Sequence, residues 1–345
     1  MARHRSWLNL FGLVCLLSIF TVSLSNQATV AAQTKTCAKS LAPRLIVGGY
    51  GRVTDGNANN VRNEASTGDA VGQIRSGETF EVLDGPICAD GEYWWRVHYS
   101  DFVGWTAEAQ DSNYWLTPYV PHFKLATENH AIQVTYDDLH FEVSTSLTND
   151  VNYHFELAQW NSEIALAEHV CFHLRLDADS QESPNNQLCL IKTSGMDEYV
   201  YELQQILSNK PPLDVPDGRT TIPVPFASAI QLMQARLNYI STDNLQGVSF
   251  ITRYAPTDYK ISGDTLKYNF AGLTQDGQFI VFFEYAAHTN LLPVGPPTNA
   301  QLSAVRENPL NYYKTVVDTL NQGTATDFTP NLDKLDAIIN SIVFQ

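Results

Sequence analysis

The sequence predicts two successive folds: a small all-β domain over residues 33–117, and an α+β domain over residues 131–345 with a mostly antiparallel sheet and packed helices. Three observations carry this. Glycines punctuate the first stretch at short intervals, at Gly48, Gly49, Gly56, Gly68, Gly77, Gly85, Gly91 and Gly104. Between them, residues 79–83 (TFEVL) and 95–99 (WRVHY) alternate with period two, as half-buried strands do. Many short strands with regular turns and no helical spacing describe a small barrel or sandwich. Beyond residue 130 the texture changes, because runs with helical spacing now alternate with longer strands.

The chain opens on Arg3, His4 and Arg5, continues through an apolar run over residues 7–24 and reaches small residues ending at Ala32. Basic start, apolar middle and small exit are the parts of a secretory signal, so residues 1–32 are expected to be an export segment cleaved near Ala32. The alternative is a retained anchor, but the run is short for a bilayer and diluted by Asn9, Ser and Thr. Cys15 follows Val14 rather than a small residue, which argues against lipidation. No later segment is long and apolar enough to be an integral membrane span. The expected location is outside the cytoplasm: extracellular, at the cell surface or in a periplasm.

Removing the signal leaves Cys37, Cys88, Cys171 and Cys189. An even set in an exported chain suggests disulfides. Pairing Cys37 with Cys88 and Cys171 with Cys189 keeps each bridge inside one domain. Lys and Arg number 21 against 37 Asp and Glu. That acidity repels phosphate backbones, so a nucleic-acid partner is not expected.

Within the first domain, residues 53–66 read VTDGNANNVRNEAS; Gly72-Gln73-Ile74, Gly77 to Leu83, Tyr93 to Val97 and Val103-Gly104-Trp105-Thr106 follow in that order. This succession resembles the bacterial SH3-like (SH3b) domain and covers the whole segment. It departs from that pattern at Glu64-Ala65, where the family often has Pro or Gly, which alters the first loop. The resemblance implies an SH3-like barrel in an exported protein that recognises a cell-wall peptide, a glycan or an extracellular protein. Candidate ligand contacts are Asn60, Arg62, Tyr93, Trp94, Trp105, Tyr114 and Trp115. Trp95 and Trp105 alternate with polar neighbours and are expected in the core. Trp94 then faces the opposite side and is the better ligand candidate. Tyr114 and Trp115 stand at the exit, where they can instead seal the domain against its neighbour.

Pro118 to Pro121 suggests a linker, taken as residues 118–130. In the second domain, residues 132–136 and 139–143 alternate as strands around the turn Asp137-Asp138. Residues 169–176 read as another strand. Tyr199, Leu203, Ile206 and Leu207 have helical spacing, stopped by Pro211-Pro212. A meander follows: 233–239, 248–254, 266–273 and 279–285, the last two joined by an Asp276-Gly277 turn. The final run is apolar on both faces and belongs in the sheet centre. Leu332, Leu335, Ile339 and Ile342 form one stripe of a closing helix, with Thr329 as its cap and Pro330 in its first turn. The second domain is faintly similar to PsbP-like folds, a resemblance that carries no activity.

The chain offers no nucleophile elbow, no His-Glu-x-x-His and no phosphate loop. Cys171 lies between Val170 and Phe172 in a strand, without the pattern of NlpC-type cysteine peptidases. His169, Cys171 and His173 share one strand face and have soft-metal character, but a Cys171–Cys189 bridge competes for the thiol. The expectation is a non-enzymatic binding or scaffold protein without cofactor or metal. The alternative is a cell-wall hydrolase with an unfamiliar active site in its second domain.

Overall fold

Strands of the first sheet run Tyr50–Val53 (β1), Asn59–Arg62 (β2), Ala70–Ile74 (β3), Thr79–Ala89 (β4), Glu92–Tyr99 (β5) and Phe102–Ala107 (β6). A small ladder follows, Ala109–Gln110 (β7) with Asn113–Tyr114 (β8), and then Leu116–Tyr119 (β9). The computed structural model describes residues 37, 40–160, 165–176, 186–211, 222–226, 229–257 and 259–345. The expected export signal, residues 1–32 with Cys15, lies outside them.

The seven strands pair antiparallel in the order β3-β2-β6-β5-β4-β1-β9. The expected closed barrel is not what forms: among the described residues no sheet closes on itself. Val53, Val61, Ile74, Phe80, Val82, Trp95, Val97, Tyr99 and Leu116 make its core, so the period-two alternation does set the buried face. Asp90 and Gly91 turn β4 into β5 with φ of 52° and 86°, the left-handed pair that a two-residue hairpin needs. Cys88, beside that turn, is bridged to Cys37 across 51 residues of chain.

The stretch expected as a linker is mostly strand. β9 lies along β1, and Phe123–Glu128 (β10) pairs with Ala131–Tyr136 (β11) through the turn Asn129-His130. Leu139–Ser144 (β12) continues this second sheet.

Next come Asp150–Glu156 (β13), the short pair Gln159–Trp160 (β14) and Ala165–Leu166 (β15), His169–Arg175 (β16) and Gln187–Lys192 (β17). Helix α1 spans Asp197–Asn209 and ends at Lys210, which is left-handed at φ 42°. Long strands follow: Ile230–Ser241 (β18), Leu245–Ala255 (β19), Leu266–Thr274 (β20) and Phe279–Thr289 (β21). Then come Asn299–Glu307 (α2), Pro309–Gln322 (α3), Phe328–Thr329 (β22), Leu332–Asn340 (α4) and Val343–Phe344 (β23). β23 closes the second sheet against β12.

The large sheet runs β13-β16-β17-β21-β20-β19-β18, with β22 on β21. β21 is central, as its two apolar faces require. One face carries α3, α4 and the β11–β12 hairpin over Phe172, Phe270 and Phe283. The other carries α1 through Leu203, Ile206 and Leu207 over Phe250 and Phe282. The fold is therefore mostly β, with antiparallel sheets and few helices.

Helix α4 starts later than its expected cap. Asn331 takes that place, its side chain accepting the Asp333 N–H, while Thr329 is in β22. The α2–α3 pair was not foreseen, although Thr298 and Gln301 form a reciprocal capping box ahead of α2. Cys171 and Cys189 sit opposite each other in β16 and β17 and are bridged.

Candidate functional site

The residues singled out in the first domain do not form one surface. Trp94 is 6% exposed and its indole N–H donates to the Ala89 carbonyl, so it is not a free stacking face. Tyr93 is buried, and its hydroxyl accepts the Cys37 N–H at 3.1 Å. The segment pinned by the Cys37–Cys88 bridge thus lies over this corner, which alternation alone does not reveal. Trp105 was expected in the core; instead it is half-buried, paired with Arg62 on one side and Arg96 on the other. Arg62 donates to the Gly68 carbonyl, and exposed Asn60 accepts from Gln73. Tyr114 donates to Ala42 and lies 3.3 Å under the Arg44 guanidinium. It thus contacts the leading segment ahead of the first sheet, not the neighbouring domain it was considered to seal against. Trp115 is half-buried beside it, its carbonyl accepting from Thr54.

The chemistry gathers instead where the first sheet meets the large one. Only residues 120–122 separate β9 from β10, so β1 and β9 are brought against the start of β16 and the end of β17. Glu168, just ahead of β16, is 3% exposed. Its Oε2 accepts the Thr79 N–H at 2.8 Å, and its Oε1 lies 2.9 Å from Lys192 Nζ and 3.3 Å from Arg52 Nη2. Thr79 and Arg52 belong to the first sheet, whereas Glu168 immediately precedes β16 and Lys192 ends β17 of the large sheet. Lys192 also donates to the Gly77 carbonyl. One buried carboxylate therefore joins two sheets through charge-assisted hydrogen bonds.

The Arg52 guanidinium carbon lies over the Tyr119 ring, 3.6 Å from its centre. The Tyr119 hydroxyl donates to Asp137 Oδ2 at 2.9 Å and stands 3.2 Å from the Tyr136 hydroxyl. Burial pushes the Tyr119 phenol up to about 12, and burial with Tyr119 beside it pushes Tyr136 higher still. Both phenols keep their protons at neutral pH. Behind the cluster Glu78 is 1% exposed; burial raises its carboxyl pKa, Lys192 opposes that and Glu168 adds to it.

Above these groups opens a cleft of about 430 Å³, within the size range of small-ligand sites. Tyr119, Tyr136, Phe155, Phe279 and Phe344 give it aromatic walls, and Asp138 and Asp276 are its exposed acids. Arg52 and Lys192 face Asp137, Asp138, Glu168 and Asp276 across it, an excess of two acids. His169 lines it too, its Nδ1–H donating to the Ala167 carbonyl and its Nε2 lying 3.7 Å from Glu156. No Ser, Thr or Cys lines the cleft among the described residues. Two cations and an amide engage both Glu168 carboxylate oxygens, which ties the two sheets together at this point.

The His169-Cys171-His173 face holds no thiolate, because Cys171 is oxidised. Sequence reasoning missed Arg52, Glu168 and Lys192, which lie far apart in the chain and carry no motif. The one available signal was the turn Asp137-Asp138. No protein-family model matches the chain, and comparison with curated proteins finds no match.

Proposed function

We propose that this chain is an exported, non-catalytic binding protein. Its first sheet is an SH3-like module, and the cleft between that sheet and the large one recognises a peptide bearing a primary amine, such as a cell-wall stem peptide. The observation that carries the reading is the composition of the cleft. Aromatic walls attract an ammonium group through their ring faces, and the acidic excess at Asp138 and Asp276 supplies the counter-charge. The two disulfides support a location outside the reducing cytoplasm. The motif order in residues 53–106 supports the SH3-like assignment. The outer face around Trp105 is the lesser candidate, because Arg62 and Arg96 are its neighbours in the strand register and give that face the opposite charge.

The test is calorimetric titration with a lysine-containing stem peptide and its Nε-acetylated twin. Binding of the free amine, weakened about tenfold by acetylation, supports the reading; tenfold corresponds to about 1.4 kcal/mol. Equal affinity for both peptides, or affinity for neither, overturns it. Turnover of the peptide overturns the non-catalytic part and favours a hydrolase.

A further inference from the structure

A second cavity, of about 620 Å³, opens beside the β18–β19 hairpin at the edge of the large sheet. Six side chains define it: Lys210, Arg236, Asn238, Tyr239, Asn321 and Asp333, with Asp336 at its floor. From these we infer a binding site for a neutral saccharide, separate from the peptide cleft.

A β-bulge makes the cavity. Ala235 pairs with Ile251 and Asn238 with Ser249, so Arg236 and Leu237 together oppose Phe250. Bulges re-aim side chains and recur beside functional sites. Arg236 adopts φ of +57°, a left-handed conformation that a long side chain rarely takes. The surroundings hold it there: its N–H donates to Asn321 Oδ1 at 2.7 Å, and its Nη1 donates to the Gly323 carbonyl at 2.6 Å. Its Nε is buried with no hydrogen-bond partner. A strained residue held in place on a bulge beside a cavity points to a ligand.

The floor is preorganised. Asp336 Oδ1 accepts from Ser249 Oγ at 3.1 Å and from the Tyr268 hydroxyl, and Oδ2 accepts from Asn238 Nδ2 at 3.0 Å. This fixes the Asn238 amide at the cavity wall with its carbonyl oxygen still available. Tyr239 is half-buried and flanks the cavity; Lys210 Nζ stands 5.7 Å from its ring centre.

Charge selects the ligand class. Lys210 and Arg236 balance Asp333 and Asp336, so an anion or a cation gains on one wall and loses on the other. A neutral polyol uses both, because each hydroxyl donates to a carboxylate and accepts from a cation or an amide. An aromatic flank beside planar amides and charged groups suits a pyranose ring, which has an apolar face and a polar rim. The volume admits more than one ring.

The test titrates the full chain calorimetrically with three neutral disaccharides (cellobiose, maltose and the N-acetylglucosamine disaccharide) and with an acidic analogue carrying a uronate. Saturable binding of at least one neutral member is expected, with the acidic analogue weaker. Asn238→Ala and Asp333→Asn should each weaken it five- to tenfold, while Asp138→Asn, in the peptide cleft, leaves it unchanged. Amide NMR of the unmutated protein supplies a readout independent of variant folding: the Asn238 and Asn321 side-chain resonances shift on saccharide addition. No saturation by any neutral member, stronger binding of the acidic analogue, or unmoved Asn238 and Asn321 resonances overturns the inference. Because the saccharide and peptide titrations use different ligands, either reading can fail while the other stands.

Discussion

Replacing Glu168 with alanine should destabilise the protein more than any other single charge removal. The carboxylate is 4% exposed in its side chain, and it neutralises Lys192 and Arg52, whose side chains are 19% and 30% exposed. It also satisfies the Thr79 amide. Removing one member of a buried ion pair costs about 3–5 kcal/mol, because the remaining charge stays desolvated. Here Arg52 keeps partial access to water, which places the cost near the lower end, about 3 kcal/mol. For a unit this large that is a fall in Tm of about 5–8 °C. Urea unfolding followed by tryptophan fluorescence measures it, since Trp95 and Trp94 are buried in the first sheet. A companion cycle isolates the pair: with Lys192→Met in the background, Glu168→Gln should cost clearly less than it does alone. A Glu168→Ala protein within about 0.5 kcal/mol of the parent, the scatter of ordinary surface substitutions, would refute the reasoning. The sheets would then be joined by apolar packing and not by this carboxylate.

The remaining expectations concern staples, pH and packing. Replacing Cys37 and Cys88 by serine should cost about 4 kcal/mol, and replacing Cys171 and Cys189 about 3 kcal/mol, because the loops they close differ in length; paired urea curves give the order. Glu78 has a carboxyl raised above 4.5 chiefly by burial, so the folded state binds its proton more tightly than the unfolded chain. Its contribution is therefore intact below about 4.5 and is lost as pH rises through the higher folded-state value. Glu78→Gln should flatten that decline in unfolding free energy measured from pH 4 to 7, and an unchanged slope would contradict the assignment. At Gly104 an added methyl would stand 2.5 Å from the Arg62 carbonyl oxygen and 2.7 Å from Val61 Cγ1. Gly104→Ala should then cost about 1–3 kcal/mol by overpacking, read from the shift in urea midpoint.

Much of the large sheet was legible because its strands are long and its signals local. Residues 279–285 are apolar on both faces, and only a central strand has two buried faces; β21 proved central. The helix at Tyr199–Leu207 and its stop before Pro211 were equally direct. Reading failed where the chain departs from its own period. Met233, Ala235, Leu237 and Tyr239 suggest one face of a regular strand, yet the bulge at Arg236 breaks the alternation and opens a cavity instead. Trp94 alternates away from the core, but a disulfide-bound segment covers that corner through Cys37, which lies 56 residues before Tyr93 and hydrogen-bonds to it. The candidate cleft was invisible for a related reason. Arg52, Tyr119, Glu168 and Lys192 are each unremarkable in context, and only the antiparallel pairing of β1 with β9 and of β16 with β17 converges them.

The most direct test of the account compares two variants against the parent for capture of the lysine-containing stem peptide. One neutralises the cleft, Asp138→Asn with Asp276→Asn; the other strips the outer face of the first sheet, Trp105→Ala. Loss of about tenfold in affinity by the first, about 1.4 kcal/mol, with the second unchanged, is the predicted result. Full binding by the cleft variant and loss by Trp105→Ala would contradict it and place recognition on the first sheet alone.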